Sequence, residues 1–279
     1  MRLLLPMIAL LLLGACSSLS LGYQQLPRLA GWWIDGYLDL DRDQRRQLDT
    51  GLAQMMTWHR REELPRWQAL LGEAEALWHK GPPDEAALLR LERAAYASME
   101  RTLAQAAPLA APLLASLRPA QWQRLERRQT ERMNEWLEAQ RKLVRDGDLA
   151  EERGKRFAKQ LERWLGRLEA PLRRQAVDAV RDWPADTEAS VKAWAARQQL
   201  TRQGLRAWAA GELEEGRRLL VQASVPLPER LSEFERARRA MVMSTVLDLL
   251  AAAPPAQQAR ARAKWQQWRQ ELVALEGSR

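Results

Sequence analysis

The sequence predicts an all-α protein, on three observations. Val, Ile and Thr together supply only 18 of the 279 residues, and strands favour these β-branched types. Ala, Leu, Arg, Gln and Glu are abundant instead, and they are good helix formers. Apolar residues recur at intervals of three and four along most of the chain, which places them on one face of a helix.

The apolar stripes are narrow, and polar residues such as Gln interrupt them. This pattern is typical of long helices packed side by side at shallow angles around a thin core. No Pro/Gly-rich linker divides the chain. We therefore expect residues 26–279 to form one elongated domain of about eight helices with shallow crossing angles.

The first 15 residues have the pattern of a secretory signal peptide. Arg2 is followed by an apolar run at 3–13 and then by small residues. A helix of this run rises only about 16 Å, at ~1.5 Å per residue, which is too short for a bilayer core of about 30 Å. Export of the chain is therefore predicted.

The junction Leu13-Gly14-Ala15-Cys16 resembles the lipobox of bacterial lipoproteins. The resemblance implies cleavage before Cys16, attachment of diacylglycerol to its thiol and acylation of the new amine, for example by palmitate. Ser17, rather than Asp, then implies the periplasmic face of the outer membrane. Residues 16–25 would be the lipidated cysteine and a short tether. Cys16 is the only cysteine, so no disulfide is expected.

The helices are predicted in order from capping residues and prolines. The segment 26–36 carries Trp32, Trp33 and Ile34, and this apolar surface requires a partner. Asp41 and Gln44 have the spacing of a capping box, so a helix begins there. Pro65 is expected to kink or break it, and residues 81–83 end it.

Further helices are predicted at 84–106, at 119–145 and, after Asp146-Gly147, around Leu161. Between the first two, Pro108, Pro112 and Pro119 predict a short broken stretch. The remaining helices carry apolar stripes, marked by Val177, Trp194, Trp208, Leu231, Met241, Leu249, Trp265, Trp268 and Leu272.

A weak internal repeat marks two of the helix starts. Leu40 and Leu117 each precede a glutamine by four residues, Gln44 and Gln121, and the stretch 168–173 has the look of a decayed third copy. The repeated units resemble the Leu-Thr-x-x-Gln motif of small periplasmic stress chaperones, which are thin helical cradles. Three ordinary helix starts would explain the pattern equally well.

A closer similarity is to a family of uncharacterised proteobacterial lipoproteins, all-helical and known only as a domain of unknown function. It rests on three stretches: 23–37 (Tyr-x-x-Leu-Pro-x-Leu-x-x-Trp-Trp-x-Asp-Gly-Tyr), 58–65 (Trp-His-Arg-Arg-Glu-Glu-Leu-Pro) and 164–168 (Trp-Leu-Gly-Arg-Leu). The resemblance supports the predicted fold and anchor and implies no mechanism.

The chain offers few residues for catalysis. His59 and Glu63 are four apart and share a helix face, so they could transfer protons or simply pack at a helix crossing. His79 is the only other histidine, which excludes a multi-histidine metal site. Gly-x-Ser-x-Gly and phosphate-binding loops are absent from the sequence. We expect no enzyme, no metal and no cofactor.

Binding is the expected activity. The formal charge is +8 and thirteen tryptophans are present, but an exported protein rarely meets nucleic acid, so none is expected as a partner. We expect binding of a client polypeptide or an envelope partner. The alternative is the handling of lipid or lipopolysaccharide by basic, Trp/Arg-rich helices. The candidate binding residues are Trp32, Trp33, Trp58, His59, Arg60, Arg61, Glu63 and Trp67.

Overall fold

The computed structural model describes residues 18–79, 81, 84–147, 149–181, 183, 187–225 and 231–277, and within them it is all-helical. Ten helices are present in these residues rather than about eight. The helices are α1 (Ser18–Leu38), α2 (Arg42–Trp58, a π-helical turn His59–Glu63, and Leu64–His79), α3 (Glu85–Ala115), α4 (Pro119–Arg145), α5 (Leu149–Leu165), α6 (Ala170–Ala179), α7 (Thr187–Ala209), α8 (Leu213–Ser224), α9 (Glu233–Ala252) and α10 (Pro255–Gly277).

Two glycines precede the short helices, and Gly211 was predicted from the sequence to begin one of them. Gly166 (φ 71°) follows α5, and Gly211 (φ 83°) lies between α7 and α8. Both occupy the left-handed region, where glycine carries no steric penalty, so each ends a helix and lets the chain turn. The short helices α6 and α8 follow these turns.

The start of α1 differs from the expected tether. Residues 18–25 are helical, and the side chain of Tyr23 is buried. Cys16 and the signal-like segment lie outside the described residues. None of the described helices has an uncharged apolar stretch long enough to cross a bilayer.

The broken stretch expected at Pro108 and Pro112 is instead the last third of α3. These prolines are four residues apart, and both are exposed, as is Ala104 one turn earlier. The missing amide hydrogen bonds therefore lie on the solvent face of α3, where water can reach the freed carbonyl groups.

Pro65 likewise lies within a continuous helix. The π-helical turn His59–Glu63 immediately precedes it, and the amide of Leu64 donates to the carbonyl of His59. The wider turn accommodates a proline that would clash with a regular α-helical turn.

Three groups of buried side chains hold the helices together. Cluster A joins α1, α2 and α10 around Tyr23, Leu64 and Trp268. Cluster B joins α5, α6, α9 and α10 around residues such as Leu165 and Leu172. Cluster C joins α1, α3, α4, α7 and α8, and it includes the members Leu38, Ala107, Leu114, Leu117, Leu125, Trp208 and Leu220.

The helices α7 and α8 cross in close contact. A β-carbon on Gly204 would lie 2.7 Å from Leu220 Cγ, and one on Gly216 would overlap the ring of Trp208. Only glycine allows this approach. It holds Trp208 and Leu220, both of which are buried, against α3.

The two Leu-x-x-x-Gln units meet at the N-termini of α2 and α4. Gln44 Nε2 donates to Gln121 Oε1 (3.2 Å) and to the carbonyl of Ser116 (3.0 Å). Gln121 Nε2 donates to Gln44 Oε1 (2.7 Å) and to the carbonyl of Asp39 (3.0 Å). Each glutamine therefore donates to the backbone carbonyl that lies five residues before the other glutamine. The hydrogen bonds of the two units are thus symmetrical.

The capping box predicted at Asp41 is confirmed. In the second unit, Arg118 occupies the N-cap position that Asp41 occupies in the first. The guanidinium of Arg118 donates to Asp41 Oδ2 at 2.8 Å. The charged cap of one unit therefore holds the other unit in place.

A related crossing occurs where α6 meets α10. Gln257 Nε2 donates to the carbonyl of Arg167 (2.8 Å), which lies five residues before Leu172. Leu172 thus takes the place of the second glutamine. In the first two units, the backbone amide three residues before the glutamine donates to the glutamine side-chain oxygen. The corresponding residue here is Pro254, which has no amide hydrogen, and Gln257 Oε1 is buried without a hydrogen-bond partner. The predicted decayed copy, 168–173, is one half of this second crossing.

Candidate functional site

The most prominent site among the described residues is an apolar cavity of about 420 Å³. It lies between α1, α2, α3, α4, α7 and α8. The residues that line it are Trp33, Ile34, Tyr37, Leu38, Gln47, Leu48, Gly51, Leu52, Met55, Leu103, Ala106, Leu109, Ala110, Leu113, Leu114, Leu125, Gln129, Arg132, Trp194, Gln198, Thr201, Leu205, Trp208, Leu220 and Ser224.

Helical periodicity places these residues on the cavity wall. Leu48, Leu52 and Met55 recur at four and three along α2, as expected for one helix face. Small residues face them from α3, where Ala106 and Ala110 are one turn apart. The helices pack closely elsewhere, but these short side chains do not reach the centre, and a cavity remains.

Polar groups lie along the edge of the cavity between α4 and α7. Gln198 Nε2 donates to the carbonyl of Gln129 (3.1 Å), and Arg202 donates to Gln129 Oε1 (2.8 Å). Arg132 is exposed and donates to Glu135 (3.0 Å). The hydrogen bond and charge of Glu135 raise the pKa of Arg132, with a further contribution from Tyr37, so Arg132 is a permanent cation at this edge and is paired with Glu135.

A second polar site surrounds the π-helical turn. The side chain of Glu63 is completely buried. It accepts hydrogen bonds from Arg101 Nε (2.7 Å), Arg66 (2.9 Å) and Ser98 Oγ (2.5 Å). Burial alone would raise its pKa, but the hydrogen bonds from Arg101 and Ser98 and the charges of Arg101 and Arg66 hold the pKa of Glu63 below its usual range. Glu63 is thus a charged tie between α2 and α3.

His59 makes a separate contact with α1. Its Nδ1 is 3.0 Å from the hydroxyl of Tyr23, and the guanidinium of Arg60 lies 5.6 Å from the centre of the Tyr23 ring. Burial lowers the pKa of His59, against the opposing charge of Glu63. Burial also raises the pKa of Tyr23 to about 12, although Arg60 opposes this. Both rings are therefore neutral at physiological pH.

The predicted pairing of His59 with Glu63 is replaced by these contacts. The π-helical turn winds more widely than an α-helix, so the two side chains bond to different neighbours, His59 to α1 and Glu63 to α3. The geometry is that of structural contacts. In the described part of the chain, no group of three or more His, Cys, Asp or Glu residues could hold a metal ion.

The candidate binding residues fall into separate places. Trp33 lines the cavity, whereas Trp32 on the same helix is 74% exposed. Trp58 packs edge-on against His59, and Trp67 packs against cluster A. Arg61 is exposed and pairs with Glu62. The residues 58–67 lie around the π-helical turn and are not among those lining the cavity.

Sequence reasoning missed the cavity. One signal was available: Gly51, Ala106 and Ala110 stand on the apolar faces of their helices, where large residues would fill a core. Small residues at such positions also occur at close helix crossings, as at Gly204 and Gly216. The pattern alone therefore does not distinguish a tight contact from an open space.

The fold and the cavity define an all-helical protein with an apolar interior site. The chain belongs to DUF6279, a family of unknown function, whose family model matches residues 36–206. The predicted similarity to a family of unknown function is confirmed, and two of the three stretches that carried it, 58–65 and 164–168, lie within the match. No curated protein and no solved structure matches the chain.

Proposed function

We propose that the protein binds the acyl chain of an amphiphilic lipid in the apolar cavity, without catalysing a reaction. The observation that carries this proposal is the cavity itself, about 420 Å³ and walled almost entirely by Leu, Ile, Met, Ala and aromatic side chains. Cavities of about 300–1,000 Å³ with such walls are typical of small-molecule sites.

The size of the cavity suits a long acyl chain. The cavity volume of about 420 Å³ is many times that needed for one water molecule, ~10–15 Å³ by the same measure, so a hydrocarbon chain can enter it. An empty apolar cavity of this kind binds water poorly but accepts apolar molecules. Filling it with a hydrocarbon chain also gains the dispersion contacts that the wall residues lack.

The polar edge between α4 and α7 gives the ligand a direction. A chain inside the cavity would have its head group beside Gln129, Arg132 and Thr201. Arg132 favours a carboxylate or phosphate head, because guanidinium groups bind both in forked geometry. The proposed ligand is therefore an anionic amphiphile, such as a fatty acid or a phospholipid.

Binding of an unfolded polypeptide is the competing proposal. It would use exposed apolar side chains on the surface. The side chain of Trp78 is outside the described residues, and of the other twelve tryptophans only Trp32 is exposed. Most apolar surface lies inside, so the geometry favours a lipid chain over a polypeptide.

The test is binding of palmitic acid to the purified protein, measured by displacement of a fluorescent fatty acid. Ala106→Phe and Ala110→Phe place a ring in the cavity, and each is expected to lower the affinity at least tenfold. Ala104→Phe is the matched control, because Ala104 is exposed on the same helix. It should bind like the unmodified protein.

A parallel titration with phosphatidylglycerol distinguishes a free fatty acid from a phospholipid as the ligand. Circular dichroism confirms that each variant is folded. Unchanged binding in both cavity variants would contradict the proposal. Suppression of client aggregation that is insensitive to both cavity variants, without palmitate binding, would favour the polypeptide alternative.

We also propose that Cys16 is lipidated and holds the protein at the periplasmic face of the outer membrane. The support is the resemblance at 13–16, since the structure does not describe these residues. Labelling of cells with an alkyne fatty acid should mark the protein, and Cys16→Ser should abolish the label and release the protein from the membrane fraction. A labelled Cys16→Ser variant would contradict this proposal.

A further inference from the structure

The outer face of α1 carries an exposed apolar pair. The side chain of Leu29 is 55% exposed and that of Trp32 is 74% exposed. They are three residues apart, so they lie side by side on one helix face. We propose that this face of α1 rests on an anionic bilayer surface, with Trp32 inserted at the level of the lipid head groups.

The charge of this face agrees with such a surface. From residue 22 to residue 38, the exposed residues are Gln24, Gln25, Arg28, Leu29, Trp32 and Gly36. The set contains one cation, Arg28, and no carboxylate. The acidic residue within this span, Asp35, is half-buried and paired with Arg45 of α2. Anionic head groups would attract the arginine, and the exposed residues of α1 in this span add no negative charge.

The inner face of α1 is already occupied. Tyr23 belongs to cluster A, Leu38 belongs to cluster C, and Trp33 lines the cavity. The helix is therefore fixed to the body of the protein, and its outer face is presented as a rigid surface. Trp favours membrane interfaces because its ring is apolar and its N–H is polar.

The position of α1 in the chain favours a bilayer over a protein partner. The helix begins at Ser18, directly after the apolar run at 3–13 and Cys16. The inference rests here on the proposed anchor: either the retained apolar run or the acylated Cys16 would hold the start of α1 at a membrane. This inference does not rest on the cavity. It concerns a different surface, and either proposal can fail alone.

The test places an environment-sensitive NBD dye at position 32. The full chain carries Cys16→Ser and Trp32→Cys, and it is added to phosphatidylglycerol/phosphatidylethanolamine vesicles whose acyl chains are brominated. Val273, 54% exposed on α10, provides the matched site through Val273→Cys. All proteins retain residues 1–17, so each reaches the vesicles in the same way.

We expect the dye at position 32 to shift to the blue and to be quenched several-fold more than the dye at position 273. Equal quenching at the two positions would overturn the proposal, because the chain would then be attached without α1 lying on the lipid. Circular dichroism of both labelled proteins excludes unfolding as the cause of any difference.

A charge reversal tests whether anionic lipid attracts this face of α1. Arg28→Glu is expected to reduce quenching at position 32, and Arg141→Glu, exposed on α4, should leave it unchanged. The effect should disappear in vesicles of phosphatidylcholine alone. Quenching that is indifferent to Arg28→Glu would overturn the role of anionic lipid. These assays contain no other protein, so a protein partner cannot account for the signal.

Discussion

The contact between His59 and Tyr23 ties the π-helical turn to α1 through a neutral imidazole. Burial lowers the pKa of His59 from its ordinary value of 6.5. The unfolded chain therefore binds the proton more readily than the folded protein does. The free energy of unfolding is fully retained above pH 6.5 and falls as the pH drops below that value, by at most about 1.4 kcal/mol per pH unit for one group.

Urea unfolding at pH 7.5 and 5.5 measures this loss. His59→Gln cannot titrate, so we expect the variant to lose less stability between the two pH values than the unmodified protein does. Glu63 does not interfere in this window, because its pKa lies below the ordinary 4.5. Identical pH dependence in the two proteins would show that His59 is not responsible.

Single residues also show how far sequence reasoning reaches. The stretch 58–65 is distinctive in the sequence, and within it Glu63 is fully buried and charged. Its partners Ser98 and Arg101 are 35 and 38 residues away, and no spacing rule connects them. The widened turn that redirects both side chains depends on tertiary packing, so the pairing of His59 with Glu63 could not be tested from spacing.

At the scale of helices, the two glutamine crossings differ in their hydrogen bonding, and a substitution can test this difference. Gln44 and Gln121 satisfy each other, whereas Gln257 keeps a buried oxygen without a partner, and Leu172 occupies the position that corresponds to the second glutamine. Leu172→Gln restores the second glutamine. We expect it to lower the free energy of unfolding by less than about 1 kcal/mol, because the new amide finds a buried partner.

Leu165→Gln is the control, since Leu165 is equally buried in cluster B and has no such partner. Loss of apolar packing together with an unsatisfied amide should cost about 3 kcal/mol or more. Chemical denaturation of both variants gives the comparison. Equal losses would mean that the two crossings are not equivalent.

Helices were predicted well where local chemistry decides them and less well where packing does. The capping box at Asp41 is local, and it was found. A proline removes a backbone hydrogen bond, which predicts a break at Pro108 and Pro112, but the exposed position of these prolines makes the loss small and α3 continues through them. Which face of a helix a proline occupies depends on the neighbouring helices.

For the molecule as a whole, the proposed lipid ligand would raise stability. Six helices form the cavity wall, so a bound chain would bridge most of cluster C. At a palmitate concentration one hundredfold above Kd, we expect the free energy of unfolding to rise by about 2.7 kcal/mol. Thermal unfolding with and without palmitate measures this rise.

Ala110→Phe should reduce that rise to about 1.4 kcal/mol or less and, in the absence of palmitate, unfold at the same or a higher temperature than the unmodified protein. An undiminished rise in this variant would place the ligand elsewhere. The all-α class was predictable from composition, but a cavity is a volume left over when all helices have packed, and no single segment of the sequence specifies it.

The glycine crossing of α7 and α8 has one more consequence. Because Gly204 and Gly216 have no side chains, Trp208 and Leu220 pack directly against the opposite helix. This part of the cavity wall therefore cannot move outward. Under the proposed function, a hydrocarbon tail would meet this part of the wall without displacing it. The crossing would then limit the length of tail that the cavity accepts.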